Sequence, residues 1–472
     1  MQKAPVKLRF SPSPTGLIHL GNTRTALFNA LYAHGVNGVF MLRIEDTDKA
    51  RSTAEFTEQL QQDLLWLGLQ WQEGPKVGGE NGPYWQSQRQ HVYNAYYQTL
   101  EEKGLAYSCF CSETQLAVNR KVQLASGKPP RYAGTCRHLT AEQRAEKIAE
   151  GIVPTLRFQV PENQLVEFVD FVKGPQRFNT DDLGDFIIRR ADGTAPFMYC
   201  NAIDDATMKV THVMRGEDHL TNTPRQILIL QALRLPVPQY GHISLILGHD
   251  GSPLSKRHGS RSVYELRQEG FFQLGVINYL ARLGHSYEEN HFMSFDELAK
   301  KFSFERLSRS PARFDAEQLL YWQKEAVIAS DDNTLWKWMG IEVHSMVPVA
   351  KRAQFIDAVR PNVTFPHEAV HWAQVFFDDH LEYSPENANI LKEAGKPFFQ
   401  QAIKAVEEKG ADFAVISDHL KQTLGVKGKA LFQPLRLALS NEAHGPEMSK
   451  LVSLLGEELL IKRLHAAMKK VS

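Results

Sequence analysis

Cysteine is scarce in this chain, with four residues among 472. That is too few for a disulfide scaffold and points to a reducing compartment. An excess of charge of one sign is missing too. The 54 basic and 54 acidic side chains give a formal net charge of zero, so only local patches can mark a nucleic-acid partner. No uninterrupted apolar run approaches the roughly 18 residues of a membrane span. Met1-Gln2-Lys3-Ala4-Pro5 leads into a strand-like segment without an apolar signal region. A soluble, cytoplasmic protein is expected. Internal repeats and low-complexity tracts are also absent. The length exceeds what one core can organise, and about three domains is the expectation.

What is present is concentrated first in residues 9–22. Val6-Lys7-Leu8-Arg9-Phe10 alternates apolar and basic positions, as a short strand does. Pro12, Pro14 and Thr15-Gly16 then impose a turn. From Leu20 the apolar residues Leu27, Ala30 and Leu31 recur at helical spacing, and Gly35 is a natural stop. Such a strand–loop–helix aims backbone N–H groups and the positive end of a helix dipole at one point, where an anion such as phosphate would sit. His19 is placed to donate to that anion, and Gly21 to let a ligand approach the backbone. By itself His-x-Gly is weak, since it recurs at His249-Asp250-Gly251 and equally suits a histidine that merely opens a helix.

Asn37-Gly38 turns the chain into a second strand, 39–44. Glu45, Asp46 and Asp48 lie beyond its C-terminal end, where parallel sheets bind ligands and where charged loops also simply solvate a strand. Residues 53–67 read as an amphipathic helix with Phe56, Leu60, Leu64 and Leu67 on one face. Three of the four cysteines form two knuckles, Cys109-Phe110-Cys111 and, after 24 intervening residues, Cys136-Arg137-His138. Two such knuckles can close one structural zinc site through Cys109, Cys111, Cys136 and His138, with Tyr132 as the alternative fourth ligand. Singly, each thiol would be an ordinary small core residue.

Residues 141–190 alternate charged and apolar positions and return to the core through 181–188. Segments 201–205 and 210–215 resume a strand pattern. Gly216-Glu217-Asp218-His219 follows, and Thr223-Pro224 opens a helix to Leu233 as N-cap and N1 proline. A further strand, 242–247, delivers the glycine-flanked loop 248–259, in which Lys256 can act as a mobile cation over phosphates. Residues 263–283 read as helical. Lys300, Lys301, Arg306, Arg309 and Arg313 make a basic stretch, the pattern of many solvated faces. From about residue 330 the chain is helical with little β signal.

Ser-Pro-Ser-Pro-Thr-Gly-x-x-His-x-Gly-Asn at 11–22, followed by Arg43-Ile44-Glu45-Asp46-Thr47-Asp48, resembles the signature of class I glutamyl-tRNA synthetases. The resemblance runs over most of the chain and weakens after about residue 330. It implies an α/β fold: a Rossmann-like catalytic domain with an inserted acceptor-binding domain and an all-helical C-terminal anticodon-binding region. Residues 1–106 and 191–260 would be the two catalytic halves, with 107–190 the insertion carrying the zinc site. Residues 261–328 would form a connecting domain along the tRNA stem, and 329–472 the anticodon-binding region.

The implied reaction is ATP-dependent ligation of L-glutamate to tRNA(Glu) through a glutamyl-adenylate, with Mg2+, by a monomer working away from membranes. The resemblance implies catalytic roles for His19 and Lys256, and ATP binding by His19, Gly21, Asp218 and Lys256. It implies glutamate binding by Arg9, Ser11, Ser13, Glu45, Phe197, Asn201 and Arg215. Glu45 would meet the α-amino group, and the two guanidinium groups the side-chain carboxylate. Arg306, Arg309, Arg313, Asn362 and Arg436 would meet tRNA.

Departures from the family pattern fall at informative places. Pro253 replaces the first lysine of the ATP loop, Phe197 a tyrosine near the amino-acid pocket, and Asn22 the last histidine of His-x-Gly-His; these bear on binding constants more than on reaction type. Met448-Ser449-Lys450 matches the lysine-loop lettering as well, but it precedes Leu451, Leu454, Leu455 and Leu459 at core spacing and reads as packing. Asn362 stands for an arginine that reads the third anticodon base. Relaxed selection with some glutamylation of tRNA(Gln) is therefore expected, unless Arg360 takes the role by a two-residue shift. The rival readings are a truncated tRNA-modifying paralogue, a glutaminyl enzyme and a catalytically dead tRNA-binding paralogue. The helical region after 330 argues against the first two.

Overall fold

In the computed structural model, which describes residues 5–48, 50–127, 130–254, 261–378 and 380–471, strand β1 (Lys7–Phe10) is buried at all four positions. It pairs in parallel with β2 (Val39–Leu42), Lys7 opposite Val39 and Phe10 opposite Leu42. The crossover between them is the helix Leu20–Gly35, whose inward face carries Leu20, Leu27, Phe28 and Leu31. A parallel pair needs such a crossover. The next helix, Ala54–Trp66, starts where Thr53 accepts the Phe56 N–H, and it buries Leu60 and Leu64.

The chain then leaves the parallel sheet. β3 (Ala106–Cys109), β4 (Thr155–Phe158) and, after the hairpin of β5 (Leu165–Asp170) and β6 (Gly174–Asn179), β7 (Phe186–Arg189) build antiparallel structure, with strand order β3-β4-β7. A second parallel pair follows, β8 (His212–Gly216) with β9 (Gln239–Ile243). Thr211 donates its N–H to Lys7 O (2.9 Å), and the Lys7 N–H reaches Thr211 Oγ1 (2.8 Å), so the two parallel pairs join side by side. The short β10 (Ile246–Leu247) pairs with β11 (Ala312–Arg313).

Several local expectations are corrected. Residues 201–205 are not a strand but part of the helix Phe197–Thr207. Its residues 199–206 are all buried, so it has no amphipathic period to read. The expected strand 242–247 is divided between β9 and β10. The expected helix 263–283 is two helices, Val263–Glu269 and Gln273–Arg282, separated at Gly270, whose φ of +90° suits glycine. Thr223 is the first helical residue and Asn222 the cap.

The described chain divides into two compact units, Met1–Arg267 with Val276–Leu319, and Gln268–Gly275 with Leu320–Ser472. The second is helical, with a core that includes Leu335, Phe355, Phe376, Phe399 and Leu451. Lys450 Nζ pairs with Asp357 (2.9 Å), and Met448, Leu454 and Leu455 are buried, in keeping with a packing role for that segment. Among the described residues no helix is long and apolar enough to cross a membrane.

Candidate active site

The C-terminal ends of β1, β2 and β8 open into a cavity of about 500 Å³. Parallel sheets bind ligands at this end because crossover helices begin there with unpaired N–H groups. Arg9 closes the cavity from β1, Ser11 and Ser13 from the proline-rich turn, and Glu45 from the end of β2. Phe197 and Asn201 project from the buried helix, Arg215 from β8, and Gly21 and Asp218 also line the space. His19 stands beside it as the residue preceding the helix Leu20–Gly35, bridged through its backbone to Ser262. A Cβ on Gly21 would meet no atom of the described residues within 4 Å, so among these the backbone there is open to a ligand. Lys256 lies outside the described residues. The part of its loop that is described turns back on β10, with Leu254 N–H on Ile246 O (2.8 Å) and Pro253 bridged to Leu247.

Charge around the cavity is arranged unevenly. Asp205, 1 % exposed, accepts from Arg9 Nε (3.1 Å) and Nη2 (3.3 Å) and from Arg43 Nη1 (2.7 Å). Burial alone would raise its pKa, but the two guanidinium groups hold Asp205 below the ordinary range. Arg43 also donates to Asn201 Oδ1 (2.8 Å) and reaches Glu45 at 3.5 Å. Burial pushes the Glu45 carboxyl up to about 7, against the pull of Arg43 and Arg9. Arg215 is different: its partners, His242, Thr223 and Gln226, carry no charge.

Four buried polar atoms of this lining, Ser11 Oγ, Arg24 Nε, Asn201 Nδ2 and Arg215 Nη1, have no hydrogen-bond partner among the described residues. Leaving such groups unmade costs stability, so their convergence marks a ligand site. Donors on Asn201 and Arg215 suit carboxylate oxygens, and Glu45 suits an ammonium group.

Sequence reasoning missed Arg43, Asp205 and His219 as parts of this site. Arg43 had a signal, an arginine ending an apolar strand within the quoted motif. His219 lines the cavity and stacks on Phe197, ring centroids 4.9 Å apart. Burial and the nearby Arg215 lower its pKa to about 4, so it sits there neutral.

In the insertion the thiols of Cys109, Cys111 and Cys136 lie within 4.8 Å of one another. His138, expected as the fourth ligand, is not among them. It is exposed, because the turn that sends Cys136 inward sends His138 outward. The Tyr132 hydroxyl is at the thiols instead, 3.4 Å from Cys109 Sγ and 3.6 Å from Cys111 Sγ. The Phe110 N–H donates to Cys136 Sγ (3.4 Å). Three sulfurs and one oxygen at this spacing fit zinc. A larger cavity of about 760 Å³ opens beside Tyr132 and Arg137 and takes no residue from the parallel sheet.

Of the residues expected at tRNA, Arg306, Arg309 and Arg313 belong to the first unit and Asn362 and Arg436 to the second. Arg306 pairs with Glu288, as Lys301 does with Glu289, while Arg309 and Arg313 are exposed. In the helical unit Asn362 Nδ2 donates to Ala358 O (3.2 Å), and Arg436 Nη1 to Pro446 O (2.9 Å). Arg360 is tied to Asp332, Ser330 O and Ile328 O.

Compared with known families, residues 5–321 match the one described as tRNA synthetases class I (E and Q), catalytic domain. Residues 333–468 match the anticodon binding domain. A glutamate--tRNA ligase 2 of Coxiella burnetii is 55 % identical over 462 residues, 98 % of this chain and 99 % of that one. A glutamate--tRNA ligase 2 of Nitrosococcus oceani is 54 % identical over 465 residues, covering 98 % of each. A solved glutamate tRNA ligase from Elizabethkingia meningosepticum, in complex with its amino acid, superposes with a TM-score of 0.90 at 28 % identity, over 99 % of this chain and 100 % of that one.

Proposed function

This chain belongs to the class I tRNA synthetases of the E and Q type, and from that membership we propose that it ligates L-glutamate to tRNA(Glu) in two ATP-dependent steps. The observation that carries the amino-acid assignment is the cavity lining: unpartnered Ser11 Oγ, Asn201 Nδ2 and Arg215 Nη1 together with the Glu45 carboxyl. An amino acid with an acidic side chain satisfies all of them at once.

In the first step an oxygen of the glutamate α-carboxylate attacks the α-phosphorus of ATP. The bond from that phosphorus to the β-phosphate bridging oxygen breaks, and pyrophosphate leaves with its Mg2+. Negative charge grows on the phosphate oxygens. Preorganised donors aimed there are worth most. His19 and Lys256 have that task, assisted by the N-terminus of Leu20–Gly35 and the open backbone at Gly21. Glu45 holds the α-ammonium, and Arg215 the side-chain carboxylate. In the second step a hydroxyl of the 3′-terminal ribose attacks the acyl carbon of the mixed anhydride, and AMP departs.

Cys109, Cys111 and Cys136, with Tyr132, would hold zinc, whose contribution is to brace the 107–190 insertion. The five-part domain division stands as part of this reading, with Arg306, Arg309, Arg313 and Arg436 towards tRNA. Asn362 at an arginine's place favours acceptance of some tRNA(Gln), and the tethering of Arg360 supports that reading. Its place is the cytoplasm, and no disulfide joins the four cysteines.

The decisive experiment is adenylation by His19→Ala and Lys256→Ala. Each should lose about a hundredfold or more, the range of a lost oxyanion donor, with tRNA affinity preserved and Lys450→Ala silent. Intact rates in both variants would show that the phosphates bind elsewhere.

A further inference from the structure

Arg215 is held from behind by a chain of buried groups that starts in the insertion. Asp170, the last residue of β5, is 1 % exposed, and its Oδ1 accepts three backbone N–H groups: Val172 (2.8 Å), Lys173 (2.8 Å) and His242 (3.2 Å). Its Oδ2 lies 2.5 Å from His242 Nδ1. His242 on β9, fully buried, presents Nε2 to Arg215 Nε at 3.2 Å and to Thr223 Oγ1 at 3.0 Å. A guanidinium has no lone pair, so Nε2 must be the acceptor and the proton sits on Nδ1, towards Asp170. Arg215 Nη2 is fixed in turn by Thr223 Oγ1 (2.8 Å) and Gln226 Oε1 (2.6 Å).

The contrast with the neighbouring arginines gives this arrangement its meaning. Arg9 and Arg43 share the single carboxylate of Asp205 as an ion-pair partner, whereas every described group touching Arg215 is uncharged. Burial lowers the Arg215 pKa to about 10, which leaves it cationic at neutral pH, and burial likewise lowers His242, keeping the imidazole neutral. Within the cavity reading argued above, we infer that Asp170, His242 and Gln226 are positioning residues: they orient Arg215 with neutral acceptors only, so that its whole charge is left for the side-chain carboxylate of the substrate. Selection of glutamate over its uncharged amide then rests on these three residues as much as on Arg215 itself.

The test is the KM for glutamate in aminoacylation of tRNA(Glu), with the KM for ATP beside it, in the full-length enzyme. In Asp170→Asn the three backbone N–H groups keep the amide oxygen at the Oδ1 position. The amide nitrogen must then face His242 Nδ1, driving the proton to Nε2, against the Arg215 N–H. Glutamate KM should rise roughly ten- to a hundredfold, the cost of a hydrogen bond to a charged group, while the KM for ATP and kcat at saturating glutamate stay near wild type. Gln226→Glu is isosteric and puts a carboxylate on Arg215. It should raise glutamate KM and narrow the preference for glutamate over glutamine, and it decides the matter alone should Asp170→Asn not fold. Glutamate KM within about twofold of wild type in the folded variants would overturn the inference, since a lost charge-assisted bond cannot be that small. Arg215→Gln separates the two levels. If it raises glutamate KM while the other two do not, only the positioning role fails; if it leaves glutamate KM unchanged, the cavity reading fails and this inference with it.

Discussion

Asp205 grips Arg9 at two nitrogens, Nε at 3.1 Å and Nη2 at 3.3 Å, from 196 positions away in the chain. The arginine therefore reaches the cavity already ion-paired, with a carboxylate that it shares with Arg43. Asp205→Asn would leave two buried guanidinium groups facing an uncharged amide. Removing one partner of a buried ion pair costs about 3–5 kcal/mol, and a denaturant midpoint should fall accordingly. Asp48→Asn, in the exposed Asp48–Arg51 pair, should leave the midpoint unchanged.

Glu45 makes glutamate binding depend on pH. Its carboxyl titrates near 7 in the free cavity because burial disfavours the anion. Only the anion can meet an ammonium group, so the KM for glutamate should climb as pH falls below about 7 and be flat above it. Glu45→Gln should raise KM and abolish that dependence. Stability follows the opposite sign. The folded-state pKa exceeds the ordinary 4.5, so this group's contribution is full below that value and lost as pH rises through about 7. Glu45→Gln should accordingly stabilise the free enzyme at alkaline pH, as read by thermal unfolding.

The thiol cluster predicts about one zinc per chain by elemental analysis, lost in Cys109→Ser. The fourth ligand is separable by mutation. Tyr132→Phe should surrender zinc to a chromogenic chelator faster than the parent, whereas His138→Ala, on the exposed side of the turn, should retain it. A metal-free protein with full activity would reduce the three cysteines to core packing.

Selection between tRNA species is predicted to be relaxed. Asn can donate and accept, so at position 362 it need not prefer cytosine, and a lost guanidinium fork is worth about 1–3 kcal/mol of discrimination. Arg360 is held by Asp332 and two backbone carbonyls, which disfavours its shift into the role. Transcripts of tRNA(Glu) and tRNA(Gln) should differ in kcat/KM by less than a thousandfold on that account, and Asn362→Arg should restore the preference without altering glutamate activation. A larger preference in the parent enzyme would refute relaxed selection.

Elements whose cause is local could be read directly. The strand 7–10, the turn at Pro12 to Gly16 and the helix from Leu20 each follow from neighbours a few residues apart. The cavity residues quoted from the motif likewise come to one place. The helix Phe197–Thr207 reads as a strand at 201–205 because burial on every side erases the helical period, and nothing in the sequence shows the partners of Asn201, Asp204 and Asp205.

By itself, then, the sequence determined the first strand–loop–helix, the two cysteine knuckles, the helical C-terminal third and the family to which these belong. Their signals are spacing, backbone stereochemistry and composition, which act over one or two turns of chain. Tertiary structure alone decided that Asp205 pairs with both Arg9 and Arg43, that Asp170 reaches Arg215 through His242, and that Tyr132 rather than His138 faces the thiols. Buried charges impose those pairings. Desolvation makes an unpartnered ion costly wherever it lies, so its partner is chosen by what the fold brings within about 3 Å, not by nearness in sequence.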